Sequence, residues 1–99
     1  MFTARVIVEP TPEGRDRVVE LLTAETESVP EAFAGCELFV VSVESAGAER
    51  VVLAEEWSSR DDFERYTSSD QFAATMAAVG PLLAGPPNSA YYEAERVGP

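Results

Sequence analysis

The sequence has no histidine, no lysine and a single cysteine, Cys36. Without histidine, neither a histidine-dependent acyl-transfer triad nor the common zinc and copper ligand sets can be assembled within one chain. One cysteine cannot form an intrachain disulfide, which suits a reducing compartment. With no histidine or lysine to stabilise its thiolate, Cys36 reads as a small buried strand residue rather than a nucleophile. No Asp-rich loop with calcium-ligand spacing appears, so no metal site is expected. Positive charge is equally scarce. Seven arginines stand against 18 carboxylates, a formal net charge of -11, which repels phosphate backbones and excludes nucleic acid as a partner. No apolar run approaches the roughly 20 residues that span a bilayer, so no membrane partner is expected. The start, Met-Phe-Thr-Ala-Arg-Val, lacks a basic region followed by an apolar stretch and a cleavage site, and predicts a cytoplasmic protein.

What is present is an ordinary globular composition, 45% hydrophobic over 99 residues, read as one domain over residues 1–99. A domain this small buries only about two-thirds of the surface its unfolded chain exposes, so a partner subunit would help stabilise it and a homodimer is expected. Residues 2–9 alternate, with Phe2, Ala4, Val6 and Val8 on one face and Thr3, Arg5, Ile7 and Glu9 on the other, which predicts a strand. Thr11-Pro12 is a helix start. Val18, Val19, Leu22, Thr26 and Val29 then keep helical spacing until Pro30 ends or bends it. Residues 36–44 alternate with both faces apolar, predicting a strand covered on both sides. A turn over residues 45–49 returns the chain through a strand at 50–57, on which Val51, Leu53, Glu55 and Trp57 share a face.

Ser58-Ser59 caps a short helix, with Ser59 and Asp62 as a capping-box pair and Phe63 and Tyr66 pointing the same way. Ser69-Asp70 starts another, in which Phe72, Met76, Val79 and Leu83 share a stripe. Pro81 is expected to kink it, and Gly85-Pro86-Pro87 to stop it. Residues 89–97 read as a last strand. The order strand, helix, strand, strand, broken helix, strand predicts an α+β, ferredoxin-like split βαβ plait: a four-stranded antiparallel sheet with helices on one face. The other face keeps apolar residues that sheet-to-sheet dimerisation would cover.

These residues resemble the antibiotic biosynthesis monooxygenase family of the dimeric α+β barrel superfamily. The likeness runs through Val-Glu-Pro after the first strand, Ala-Gly-Cys at 34–36, Leu-Ala-Glu-Glu-Trp-Ser-Ser at 53–59 and Arg-Asp-Asp-Phe-Glu-Arg-Tyr at 60–66. It continues in Ser-Ser-Asp-Gln-Phe at 68–72 and Pro-Leu-Leu-Ala-Gly at 81–85; the order and spacing of these motifs carry the resemblance, not any one of them. It implies oxidation of a quinol, anthrone or related phenolic aromatic by dioxygen, without flavin, metal or other cofactor, in a cavity between the sheet and helices of each subunit of a homodimer. Trp57 matches the family's tryptophan at the end of the third strand, and Glu55 the acidic residue on the same face. Many members have a histidine nine residues after that tryptophan, where this chain has Tyr66. Some have an asparagine four residues before it, where this chain has Leu53. Haem-degrading members need a histidine ligand that this chain lacks.

The catalytic candidates are therefore Trp57, Tyr66 and Glu55. Trp57 would stack on a planar substrate or donate its N–H, or else be a core aromatic. Tyr66 would orient a phenol rather than deprotonate it, its ordinary pKa lying near 10, or else be a half-buried helix tyrosine. Glu55, desolvated beside Trp57, would accept a phenolic proton, or be held charged by Arg5 or another arginine. Arg5, Phe39, Leu53, Phe63, Phe72 and Met76 are the expected pocket residues, Arg5 steering an anionic or phenolic ligand or else pairing with a surface carboxylate, and the aromatics and methionine forming an adaptable apolar wall or simply core. The alternative function is a non-catalytic small-molecule-binding or assembly module on the same barrel.

Overall fold

The computed structural model describes residues 1–47 and 49–99; Ala48, in the turn expected at 45–49, lies outside the described residues. The strands are β1 (Phe2–Val8), β2 (Cys36–Val43), β3 (Val51–Trp57) and β4 (Asn88–Glu93), and the helices α1 (Arg15–Ala32), α2 (Arg60–Thr67) and α3 (Asp70–Val79). They form one antiparallel sheet in the order β2-β3-β1-β4, the strand order of a ferredoxin-like plait with its split βαβ crossovers.

Register assigns the two faces. Ala4 lies between Glu55 and Tyr91, and Glu55 between Ala4 and Phe39, so these side chains share the helix-covered face. There Phe2, Ala4, Val8, Phe39, Val51, Leu53 and Trp57 join Val18, Leu22 and Val29 of α1 and Phe63, Tyr66 and Val79 in one buried core. The opposite face is bare. Leu38 and Val40 are 37% and 40% exposed, and Tyr92 is 52% exposed. The expectation that β2 is covered on both sides thus holds on one side only within the subunit.

Local chemistry sets the boundaries. The Thr11 hydroxyl accepts from Gly14 N at 3.1 Å, closing a turn ahead of α1 instead of capping it, and the helix begins at Arg15. Gly14 is glycine because a Cβ would lie 2.9 Å from the Leu82 Cβ. Pro30 sits within the last turn of α1, and the helix runs on to Ala32. Ser59 caps α2, accepting from Asp62 N at 3.2 Å, and Ser69 caps α3, accepting from Phe72 N at 3.1 Å; each such cap contributes about 1 kcal/mol. Instead of kinking a continuing helix at Pro81, the chain ends α3 at Val79 and tightens into a 3-10 turn over Gly80–Leu82, as expected where a ring would clash with a carbonyl one turn back. This turn is tied to the end of β1 by Thr11 N donating to Leu82 O at 2.8 Å and Ala84 N to Glu9 O at 2.7 Å. Those two bonds hold the α3 end over the sheet, where it walls one end of a cavity.

Candidate active site

Between the sheet and α2, α3 and the 3-10 turn lies a cavity of about 530 Å³, large enough for a drug-sized ligand. Leu53 and Glu55 of β3 form its floor with Val6 and Val8 of β1. Phe63 and Tyr66 of α2, Phe72 and Met76 of α3, and Tyr91 of β4 stand around it. The spacing that brings them together was visible in the chain: residues two apart on β3 share a face, and 63 with 66, and 72 with 76, share helix faces.

Glu55 is the wall's one carboxylate and is only 5% exposed. Its Oε1 accepts from the indole Nε1 of Trp57 at 3.0 Å. No arginine forms an ion pair with it among the described residues. No buried side-chain polar atom among the described residues lacks a partner, so the second oxygen, which takes no donor, is open to the cavity. Burial pushes the Glu55 carboxyl up to about 7; the Trp57 hydrogen bond opposes this and the charge of Glu25 adds to it. A carboxylate so placed exchanges its proton near neutral pH, as a general base must.

Trp57 is fully buried and does not line the cavity. Its ring lies flat against Tyr66, centroids 5.6 Å apart and planes 19° apart, and meets Phe63 edge-on at 6.0 Å. A planar ligand would therefore meet Tyr66, with Trp57 behind it. Phe39, buried opposite Glu55 on β2, touches the Tyr66 edge at 6.0 Å and also stays out of the cavity wall. Phe72 packs edge-on against the Tyr66 ring at 5.2 Å. Arg5 lies on the bare face, exposed and opposite Ala54 and Ala90. It reaches neither Glu55 nor the cavity, because the residue between Ala4 and Val6 points through the sheet to the other side.

A second buried carboxylate, Glu25 of α1, escaped the sequence reading, which put Thr26 on the buried stripe. The stripe is Val18, Leu22, Glu25 and Val29, and the 18-22-25-29 spacing carried that signal. Glu25 Oε2 accepts from the Tyr66 hydroxyl at 3.3 Å and from Gln71 Nε2 at 3.2 Å, and its Oε1 from Thr75 Oγ1 at 2.7 Å. Burial, followed by the charges of Glu25 and Glu55, drives the Tyr66 phenol well above its ordinary value, so Tyr66 keeps its proton. Cys36 is pushed up to about 11 by burial and by Glu55, and stays a thiol. Among the described residues no three His, Cys, Asp or Glu side chains converge on a common metal-binding point, and no helix is long and apolar enough to cross a membrane.

A family model described as antibiotic biosynthesis monooxygenase matches residues 1–78. No curated protein matches the sequence. Among solved structures, the Rv0793 protein of Mycobacterium tuberculosis superposes with a TM-score of 0.86 at 24% identity, covering 99% of this chain and 98% of that one. A candidate antibiotic biosynthesis monooxygenase from Deinococcus radiodurans gives a TM-score of 0.90 at 16% identity, covering 100% and 97%. Another from Nitrosomonas europaea gives 0.87 at 17%, covering 95% and 98%. At these identities the likeness establishes the fold.

Proposed function

The chain belongs to the antibiotic biosynthesis monooxygenase family, and from that premise we propose that it is a cofactor-independent monooxygenase, oxidising an anthrone, a quinol or a related phenolic aromatic with dioxygen. The observation that carries this reading is Glu55: a buried carboxylate with no ion-pair partner among the described residues, poised near neutrality, in the wall of a mainly aromatic and aliphatic cavity.

Such a substrate carries its own reducing power. Glu55 takes a proton from the acidic C–H or O–H of the bound aromatic, and the resulting anion, held in an apolar site, is the electron donor to dioxygen. For an anthrone methylene, one electron passes to O2, the two radicals combine into a C–O bond, and the peroxide takes a proton. Loss of water with the second methylene hydrogen leaves a carbonyl. One oxygen atom enters the product and the other leaves as water. Tyr66 and Phe72 present a ring face and a ring edge that position the substrate, while Trp57 keeps the Glu55 carboxylate aimed. The active unit in this reading is a homodimer, one domain of residues 1–99 per subunit, with the bare faces carrying Leu38, Val40 and Tyr92 packed together. The single thiol and reduced-compartment composition fit a cytoplasmic setting.

The test is oxygen consumption by purified protein with a panel of anthrones and quinols, under air and under argon. Turnover above the uncatalysed background is expected in air alone; its absence across the panel overturns the proposal. A second reading, a binding module without catalysis, is favoured by Tyr66 standing where many members have a histidine, since a phenol that holds its proton cannot serve as a base. Binding of the same compounds without turnover would establish that reading instead.

A further inference from the structure

The cavity's polar side chains are Glu55, Tyr66, Thr67, Ser89 and Tyr91, and the hydroxyl hydrogens of Tyr66 and Thr67 are already committed. Thr67 Oγ1 donates to the Glu64 carbonyl at 3.2 Å. Tyr66 donates its one hydroxyl proton away from the cavity, to Glu25. The Trp57 N–H is held by Glu55. Ser89 and Tyr91 lie on the edge strand β4 and are exposed, so their hydroxyls have water as a partner. A phenolic oxygen that has spent its proton retains lone pairs, and an ionised carboxylate can only accept.

We infer that Glu25 is a positioning residue: by holding the Tyr66 proton it turns that hydroxyl into a hydrogen-bond acceptor towards the cavity, so that the site selects aromatic ligands bearing a free hydroxyl over those whose oxygen is capped. This deepens the reading that the cavity holds an aromatic substrate and rests on it. Three further observations support the geometry. Glu25 is buried at 6% exposure yet receives donors from α2 and α3 together, so its position is fixed from two sides. Gln71 Nε2 donates both to Glu25 Oε2 and to Ser28 Oγ at 3.0 Å, which fixes that oxygen as an acceptor beside Tyr66. The ring itself is fixed by Trp57 stacked on it and by Phe33, Phe39 and Phe72 set at steep angles around it, leaving the O–H torsion as the freedom that Glu25 settles.

A capped ligand oxygen has no proton to offer the Tyr66 and Glu55 oxygens and leaves them desolvated against an acceptor; such mismatches discriminate strongly. Titration calorimetry with 2-naphthol and with 2-methoxynaphthalene, at about pH 8, where Glu55 is ionised, reads the preference without any need for turnover. The wild type is expected to bind the naphthol about tenfold more tightly than its ether. Glu25→Gln keeps the preference, its amide oxygen taking the Tyr66 and Gln71 hydrogens while its amide nitrogen donates to Thr75. Glu25→Met and Tyr66→Phe each reduce it to about twofold or less. A purely structural Glu25 would change melting temperature in both Glu25 variants and leave the ratio alone.

An unchanged ratio in folded Glu25→Met, no preference in the wild type, or no binding of either compound overturns the inference. Should Glu25→Met fail to fold, an unchanged ratio in Tyr66→Phe does so by itself. Preference without oxygen consumption removes the oxidation and leaves this inference standing; oxygen consumption without preference does the reverse.

Discussion

The indole N–H of Trp57 and the carboxylate of Glu55, two residues apart on one strand face, meet at 3.0 Å in the interior of the protein. This contact decides what Glu55 can do. Burial and the Glu25 charge favour the protonated acid, the indole favours the anion, and the balance falls at about 7. A free carboxylate in water would be a weaker base by more than two units, and a fully apolar niche would leave it protonated at all working pH values.

The rate of oxidation should therefore rise with pH through an inflection near 7, since the ionised form of Glu55 takes the substrate proton. Glu55→Gln should lower turnover on the order of 10²–10⁴-fold and abolish that inflection. Initial rates over a pH series, corrected for the substrate's own autoxidation, measure both; a Glu55→Gln protein with wild-type rates removes Glu55 from the chemistry.

The same shift has a stability consequence of definite sign. Glu55 is protonated more readily in the folded chain, at about 7, than at the ordinary value of 4.5, so the folded state binds more protons between those limits. Its contribution is fully present below pH 4.5, falls as pH rises through that window, and is gone above 7, a loss of about 3 kcal/mol. Glu55→Gln should flatten this part of the curve and be the more stable protein at pH 8. Urea unfolding at stepped pH values reads it, and parallel curves for the two proteins would contradict the assignment.

Replacing Trp57 by Phe separates the indole's two roles. The ring can still pack on Tyr66, but Glu55 loses the donor that holds its carboxyl down, so its titration should move up by about one unit, the worth of a hydrogen bond to a charged group. Carbon-13 NMR of labelled glutamate follows this without substrate. A downward shift or none would mean that the indole does not hold the carboxylate.

Much of this was legible in the chain because period-two and helical spacing place side chains without knowledge of tertiary contacts. Glu55 beside Trp57 follows from their sharing a strand face, and the caps at Ser59 and Ser69 follow from hydroxyls standing just before helical runs. Arg5 illustrates a different case: the alternation that puts Val6 inside already puts Arg5 outside, so its place away from the cavity follows from strand register alone. Glu25 was hidden for another reason. Its burial depends on donors 41, 46 and 50 residues away in sequence, from Tyr66, Gln71 and Thr75, and no local pattern reports such partners. The same holds for Trp57 lying behind Tyr66, which is set by how α2 docks on the sheet.

The bare sheet face makes the last prediction. Leu38 and Val40 on β2 share it with Ala54 and Glu56 on β3 and with Tyr92 across β1, and their side chains make no contribution to the buried core. A charge placed at Val40 therefore leaves the subunit's own packing intact and acts on whatever covers this face. If that is a second copy, Val40→Glu puts two carboxylates into an apolar interface related by a twofold axis, and uncompensated buried charge of this kind costs several kcal/mol. The dissociation constant should rise by about 100-fold or more. Sedimentation velocity should then show two subunits for the wild type and one for Val40→Glu, and the wild-type melting temperature should rise with protein concentration while that of the variant stays fixed. A wild type that sediments as one subunit, or a variant that still sediments as two, would show that this face is not the interface.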